Sequence, residues 1–335
     1  MTVFNGGEFL VSAVDSILCQ TWQDFEFVIV DDASTDGSVE VLSRLASKDS
    51  RIRLFCNAQN TGQTACLNQG LGEARGRWIA RQDADDLSLP ERLQAQMAHV
   101  RRFPGLVLLG TNGWILDEEG TRTGLIHVPL SDAGIRWAMA FQNPFIHTGV
   151  VFRKELPSGN AVRYCEDFRI CQDWELWSRL ADEGQVANLP DRLVCYRDRK
   201  DSLSHQFSES TRRECRAVAA TAWKKNFPGE EMTGEAAALL EGFRCGLRPA
   251  QFWSFLSLYS CSRRRWAVRH PERAGERQAE AVHWIQAAGG LISGGRLPAC
   301  EAMLRAFLAS PRWTFGAVWD RVFRMKEASP KFSAS

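Results

Sequence analysis

The sequence predicts an α/β fold, a mostly parallel sheet flanked by helices and followed by a mainly helical C-terminal region. Three observations lead there. From residue 8 to about 200, short apolar runs alternate with segments of helical periodicity. Acidic clusters follow directly after two of those runs, at the strand carboxyl ends where such sheets bind ligands. Beyond about residue 207 the strand signal fades and the charge reverses. Residues 1–206 carry 21 basic and 28 acidic side chains, whereas residues 207–335 carry 20 and 12. These shifts divide the chain into a domain over 1–206 and a helical accessory region over 207–335.

The elements follow in order. Leu10, Val14, Ile17 and Leu18 recur at helical spacing, and the run ends near Gln20-Thr21. Phe25 to Val30 is too short for a helix and reads as a buried strand. Asp31 to Ser38 is a polar turn, with Val39, Val41, Leu42 and Leu45 on the next helix. Ile52 to Phe55 is a strand and 62–74 a helix; Trp78-Ile79-Ala80 is a strand running into Asp83-Ala84-Asp85-Asp86. Pro90 suits the first turn of a helix reaching Arg102, and Leu106 to Gly110 is another strand. Helices are predicted over 210–227, 234–246, 250–267, 275–288 and 298–309.

Composition narrows the function. Of the 335 residues, 44% are hydrophobic and 24% charged, which supports a packed core and excludes a disordered chain. A net charge of +1 gives no reason to expect nucleic acid as a partner. No run reaches the about 18 apolar residues of a membrane span, and no basic-then-apolar leader opens the chain. Ten cysteines without a CxxC pair read as reduced thiols. A cytoplasmic protein is the expectation, with a location at the inner face of the cell membrane also open.

Three clusters can carry chemistry. If the strand continues to Asp85, Asp83 and Asp85 point to one side, and two converging carboxylates call for a cation. Hard oxygen ligands in an open cleft suit Mg²⁺ or Mn²⁺, although a solvated acidic turn capping the next helix would read alike. Asp31 and Asp32 end a buried strand where a base or ribose could be hydrogen-bonded; helix capping by Ser34 or Thr35 is the competing reading. Asp173 lies in the first turn of a helix whose apolar stripe is Leu176, Trp177 and Leu180, either a general base or an N-cap.

Together these stretches resemble family-2 glycosyltransferases. The likeness is carried by Val3-Phe4-Asn5-Gly6, Ser16 to Thr21, Val30 to Asp36, Asn60-Thr61-Gly62, Leu67 to Gly70 and Ala74-Arg75-Gly76. It continues through Ala80 to Asp86, Asn143-Pro144 with His147, and Gln172 to Trp177, covering about residues 1–205. The resemblance implies a glycosyltransferase-A fold, a nucleotide-diphosphate sugar donor (UDP-linked above all), a divalent metal and inversion at the anomeric carbon. Phe4 would stack on the donor's base, and Asp32 with Asp31 would bind base or ribose. Asp83 would sit near the ribose or sugar, with Asn68 and Arg81 in the donor pocket, unless Arg81 serves only to pair with a nearby acid. Asp85 would meet metal and diphosphate. Asp173 would be the general base, with His147 and Glu175 on the acceptor side. The acceptor would be a glycan or lipid-linked hydroxyl in surface polysaccharide or glycolipid assembly.

The chain departs from that pattern twice. Relatives carry a full first strand before the Val-Phe-Asn-Gly stretch, whereas here Met1 lies just ahead of it, so an upstream extension is expected to add about five apolar residues. In Tyr196-Arg197-Asp198-Arg199, many relatives have histidine at the last position; Arg199 can neutralise phosphate but cannot ligate metal. His205 nearby could substitute for it, although a solvent-exposed surface histidine is the favoured reading. These departures favour the alternative of a degenerate relative that binds a nucleotide sugar without transfer, while intact Asp85 and Asp173 oppose it. A nucleotidyltransferase would need a basic residue in Asn5-Gly6-Gly7-Glu8, and there is neither a GxGxxG after a strand nor a Walker lysine. In the tail, Phe252, Trp253, Phe255, Leu256 and Tyr259 precede Arg263-Arg264-Arg265-Trp266. That pattern fits either an inward-packed helix or peripheral contact with an anionic membrane.

Overall fold

A computed structural model describes residues 1–199 and 209–232 together with Trp266 and Val268. Its first sheet has three parallel strands, β1 (Thr2–Val3), β2 (Phe27–Asp31) and β3 (Ile52–Cys56), in that spatial order. β1 is short, but the backbone beside it is also paired: the Met1 amine donates to Val28 O at 2.9 Å, and Asp32 N to Val3 O at 2.8 Å. Helix α1 (Leu10–Leu18) joins β1 to β2, α2 (Ser38–Ala46) joins β2 to β3, and α3 (Gln63–Glu73) follows β3. One apolar cluster joins Val3, Leu10, Val14, Ile17, Ile29 and Leu42, the inward positions of α1, α2 and the strands. The periodicities read from the sequence are therefore the ones that pack.

The second sheet is mixed. It runs β4 (Trp78–Ala80), β8 (Val151–Arg153), β6 (Leu106–Leu116), β9 (Gln185–Arg197), β5 (Leu87–Ser88), with β7 (Arg122–Ile126) paired on β6. Only β6 and β9 are parallel there; β4–β8, β6–β8, β6–β7 and β5–β9 are antiparallel. Helices α4 (Arg92–Arg102) and α6 (Gln172–Glu183) belong to the same unit. β6 runs six residues past the predicted Gly110. Its glycines mimic a turn signal, but they mark close approach: a Cβ on Gly110 would lie 2.1 Å from Asn188 Oδ1 and 2.7 Å from Phe145. A cavity of about 770 Å³ lies alongside β1 and β4, with Ile17, Val28, Leu71, Ile79 and Phe152 among its walls.

A second unit contains His127–Pro144 and the described residues from 209 onward. In it, α5 (Asp132–Ala138) and α7 (Glu209–Asn226) join through aromatic contacts of Trp137 with Phe227 and Trp266, and of Phe141 with Trp223. Asn226 ties the group together, donating to Arg136 O at 3.0 Å and accepting from Trp266 Nε1 at 2.9 Å. The 210–227 helix is thus present as α7. The predictions for 234–246, 275–288 and 298–309, most of 250–267, His205 and the run Arg263–Arg265 lie outside the described residues. Among the described residues, no helix is long and apolar enough to cross a membrane.

Candidate active site

At the end of β2 the two neighbouring acids turn to different loops. Asp31 is fully buried and accepts from Ser34 N at 2.9 Å and Ser34 Oγ at 2.5 Å. Asp32 accepts from Thr61 N, Thr61 Oγ1 and Asn57 Nδ2 on one oxygen and from Gly62 N on the other. Burial pushes the Asp32 carboxyl upward, but these donors outweigh it and hold the group below the usual range. Both acids expected at the base or ribose therefore spend their oxygens bracing loops. Capping by Ser34 or Thr35 does not occur: α2 starts after Gly37, and Asp36 Oδ1 takes the Ser38 N–H at 3.0 Å. Above this turn, Asn5 and Ala33 hold left-handed backbone angles (φ 51° and 63°), and Phe4 is 55% exposed, free to meet a flat ligand.

The strand β4 stops at Ala80, so Asp83 and Asp85 do not alternate along a strand; they lie on a turn and face different cations. Asp83 pairs with Arg81 at 2.5 Å, and Asp85 with Arg199 at 3.3 Å. Burial raises the Asp83 pKa, yet Arg81 and His147 bring it below the ordinary value. Asp85 is shifted the other way, by burial and by the nearby charge of Asp83, with Arg199 offsetting part. Asp86 is buried, accepts the Arg197 N–H at 2.7 Å, and is pushed well up by burial and by both neighbouring acids. Beneath the turn, Arg92 is completely buried and donates to Ser88 Oγ at 2.8 Å, Arg81 O at 2.8 Å and Val150 O at 3.1 Å. Burial lowers its pKa to about 9.

A second group gathers around His147. Arg81 Nε donates to His147 Nε2 at 3.2 Å, Tyr164 Oη lies 3.3 Å from the same nitrogen, and His147 Nδ1 is 3.8 Å from Asp83 Oδ2. Burial and Arg81 lower the His147 pKa, and Asp83 and Asp173 counter them, so Asp173 lies within electrostatic reach of this ring. Asp173 itself opens α6, partly exposed, with Oδ1 accepting from Trp174 N at 2.7 Å. Glu175 is held by Arg179 at 2.7 Å. Asn68 is buried and faces residues 164–166, bonding Tyr164 and Glu166. The structure thus brings Arg81, Asp83 and His147 into contact, with Asp85 on the same turn as Asp83 and Asp173 within electrostatic reach of His147, while Asn68, Asp31 and Asp32 are bonded to neighbouring loops.

Four participants were not read from the sequence. Tyr164 and Arg92 reach the site through contacts far apart in the chain; Phe9 and Arg197 meet over Asp85, with the Arg197 guanidinium 4.2 Å above the Phe9 ring and its Nε donating to Asp85 O at 2.9 Å. The alternation of Arg197 with Arg199 is the one local signal that could have flagged Arg197. Among the described residues, no group of three or more His, Cys, Asp or Glu gathers as a metal cage. Asp85 nevertheless fits a magnesium-like ion: one accessible carboxylate, its side chain 32% exposed, suffices where a substrate's phosphates supply the other oxygens.

The model of "Glycosyl transferase family 2" matches residues 1–156. The chain is 36% identical over 212 residues to the putative glycosyltransferase EpsE of Bacillus subtilis, covering 62% of this chain and 74% of that one. In fold it is similar to S. aureus TarS 1-349 in complex with UDP-GlcNAc, with a TM-score of 0.54 and 15% identity over 99% of this chain and 97% of that one. It is also similar to the mannosyltransferase PcManGT from Pyrobaculum calidifontis in complex with GDP-Man and Mn²⁺. There the TM-score is 0.52 and the identity 17%, over 97% and 86% of the two chains.

Proposed function

Because the chain belongs to glycosyl transferase family 2, we propose that it transfers a sugar from a UDP-linked donor to an acceptor hydroxyl, with inversion and with the help of a divalent cation. The fold is that of glycosyltransferase-A enzymes and the protein is a glycosyltransferase; the UDP-GlcNAc bound to the similar TarS structure supports a nucleotide sugar as its donor. The finer reading is carried by two partly exposed acids on separate elements, Asp85 on the turn after β4 and Asp173 in the first turn of α6. Asp173 is the proposed base, removing the acceptor hydroxyl proton opposite the leaving group. Arg81, buried and paired with Asp83, fixes that carboxylate where the donor's ribose or sugar would lie, and Phe4 offers its exposed ring to the base. Mg²⁺ or Mn²⁺ held by Asp85 would offset the charge of the departing diphosphate.

The proposed acceptor is a glycan or lipid-linked hydroxyl in surface polysaccharide or glycolipid assembly, and the proposed catalytic domain is 1–206. The excess of 20 basic over 12 acidic residues in 207–335 would draw that region toward an anionic membrane face. The test is a panel of nucleotide sugars with Mn²⁺, scoring nucleoside diphosphate release with and without acceptor. Release with a UDP-sugar that depends on acceptor and on Asp173 supports transfer. Tight donor binding without any release would instead identify a nucleotide-sugar-binding protein.

A further inference from the structure

We infer that Arg199 is a built-in counter-ion of Asp85 which a divalent cation must displace, so that this chain takes up metal weakly alone and firmly only together with the nucleoside diphosphate. The inference rests on the reading of Asp85 as the metal-facing carboxylate. Arg199 Nη1 lies 3.3 Å from Asp85 Oδ2, with the two side chains 26% and 32% exposed, so the pair sits at the rim where a ligand can reach both. Arg199 is also held in place there. Its guanidinium lies 5.3 Å from the Phe9 ring, against which Arg197 also lies at 4.2 Å, and Arg197 pins the Asp85 carbonyl at 2.9 Å. Phe9 and Arg197 thus fix both partners of the pair relative to one another.

The consequence is electrostatic. A guanidinium and a divalent cation repel each other at one carboxylate, so the arginine lowers metal affinity while it remains paired. A diphosphate changes the balance, because its oxygens give the released guanidinium a partner that matches its planar, forked donors. The same arginine therefore opposes metal alone and favours metal with nucleotide. That is a positive coupling between the two ligands, and it must be equal in both directions. A histidine in this position could share the site with a metal and would produce no such opposition.

The experiment measures Mn²⁺ binding to the full chain by the loss of the free-ion electron paramagnetic resonance signal, without and with UDP. The wild type is compared with Arg199→Ala, Arg199→His and Asp85→Asn, each checked by its thermal melt. The expected result is that both Arg199 variants tighten Mn²⁺ binding without UDP by roughly tenfold and shrink the gain that UDP provides, within the range common for coupled sites. Unchanged or weaker Mn²⁺ binding in Arg199→Ala and Arg199→His, with binding still lost in Asp85→Asn, overturns the inference and leaves the Asp85 site standing. Mn²⁺ binding that ignores Asp85→Asn overturns the site reading itself, and the inference falls with it.

Discussion

Asn68 on α3 holds the backbone of Tyr164 on both sides: its Nδ2 donates to Tyr164 O at 3.0 Å, and its Oδ1 accepts from Tyr164 N at 2.8 Å. One side chain thereby satisfies both peptide groups of a buried residue 96 positions away. Since Tyr164 stands against His147, the amide acts on the site from behind it. Asn68→Leu should leave those peptide groups unpaired and lower unfolding free energy by about 2 kcal/mol in urea denaturation. A loss below about 0.5 kcal/mol would show that the clamp is replaceable.

The acids of the turn should separate by what their removal exposes. Asp85→Asn removes one charge at the rim and should abolish metal-dependent turnover with little change in melting temperature. Asp83→Asn leaves the Arg81 guanidinium, 3% exposed, without its carboxylate. It should cost about 2 kcal/mol of stability, less than a fully buried broken pair because Asp83 is partly accessible, and weaken donor binding less severely than Asp85→Asn weakens turnover. Equal melting temperatures for the two variants would contradict this ordering.

Asp173→Asn should keep donor affinity and slow transfer about 10²- to 10⁴-fold, the usual loss when a general base is removed. Glu175, two residues on, is already engaged by Arg179 and should tolerate substitution far better. Asp167 is exposed in the preceding loop. Single-turnover rates for the three variants decide among them, and a slow Asp167→Asn with a fast Asp173→Asn would move the base.

Asp86 should carry a pH signature. Its pKa in the fold is raised above 3.8, chiefly by burial and then by Asp83 and Asp85. Between the unfolded and folded values, the folded state therefore binds more protons, so its contribution to stability falls as pH rises through that window. Asp86→Asn removes the burden of ionising a buried acid and should gain stability relative to the wild type as pH rises above 3.8. Asp32 works in the opposite sense. Its folded pKa is lowered, so its contribution is complete above the ordinary value of 3.8 and is lost as pH falls through the folded one. Urea midpoints across that range, compared between wild type and Asp86→Asn, test the sign; parallel curves would refute it.

Much of this was legible locally. The runs Phe27–Asp31 and Ile52–Cys56 are short and mostly apolar, and the apolar spacings of α1, α2 and α6 put Leu10, Val14, Ile17, Leu42, Leu176, Trp177 and Leu180 in the core. The motifs also brought Arg81, Asp83 and His147 to one place, because strand ends of one sheet converge. What stayed hidden depends on distance along the chain. Nothing around Asp32 announces that Thr61 and Gly62 will consume its oxygens, and nothing around Arg92 announces that its guanidinium will be buried under the acidic turn. Gly110 reads as a break until Asn188 and Phe145 are placed against it.

The parallel pairing of β6 with β9 sets a timetable for the acidic turn. Asp86 receives the Arg197 N–H across 111 residues, and the Asp85 carbonyl meets the Arg197 side chain across 112. During synthesis the three-stranded sheet can close once β3 has emerged, because its strands need no later partner. The turn cannot take its final form until β9 has left the ribosome and threaded alongside β6, a non-local step with a high loop-closure cost. A nascent chain can therefore close its first sheet well before the acidic turn takes its final form, which waits for β9, the last of the described strands.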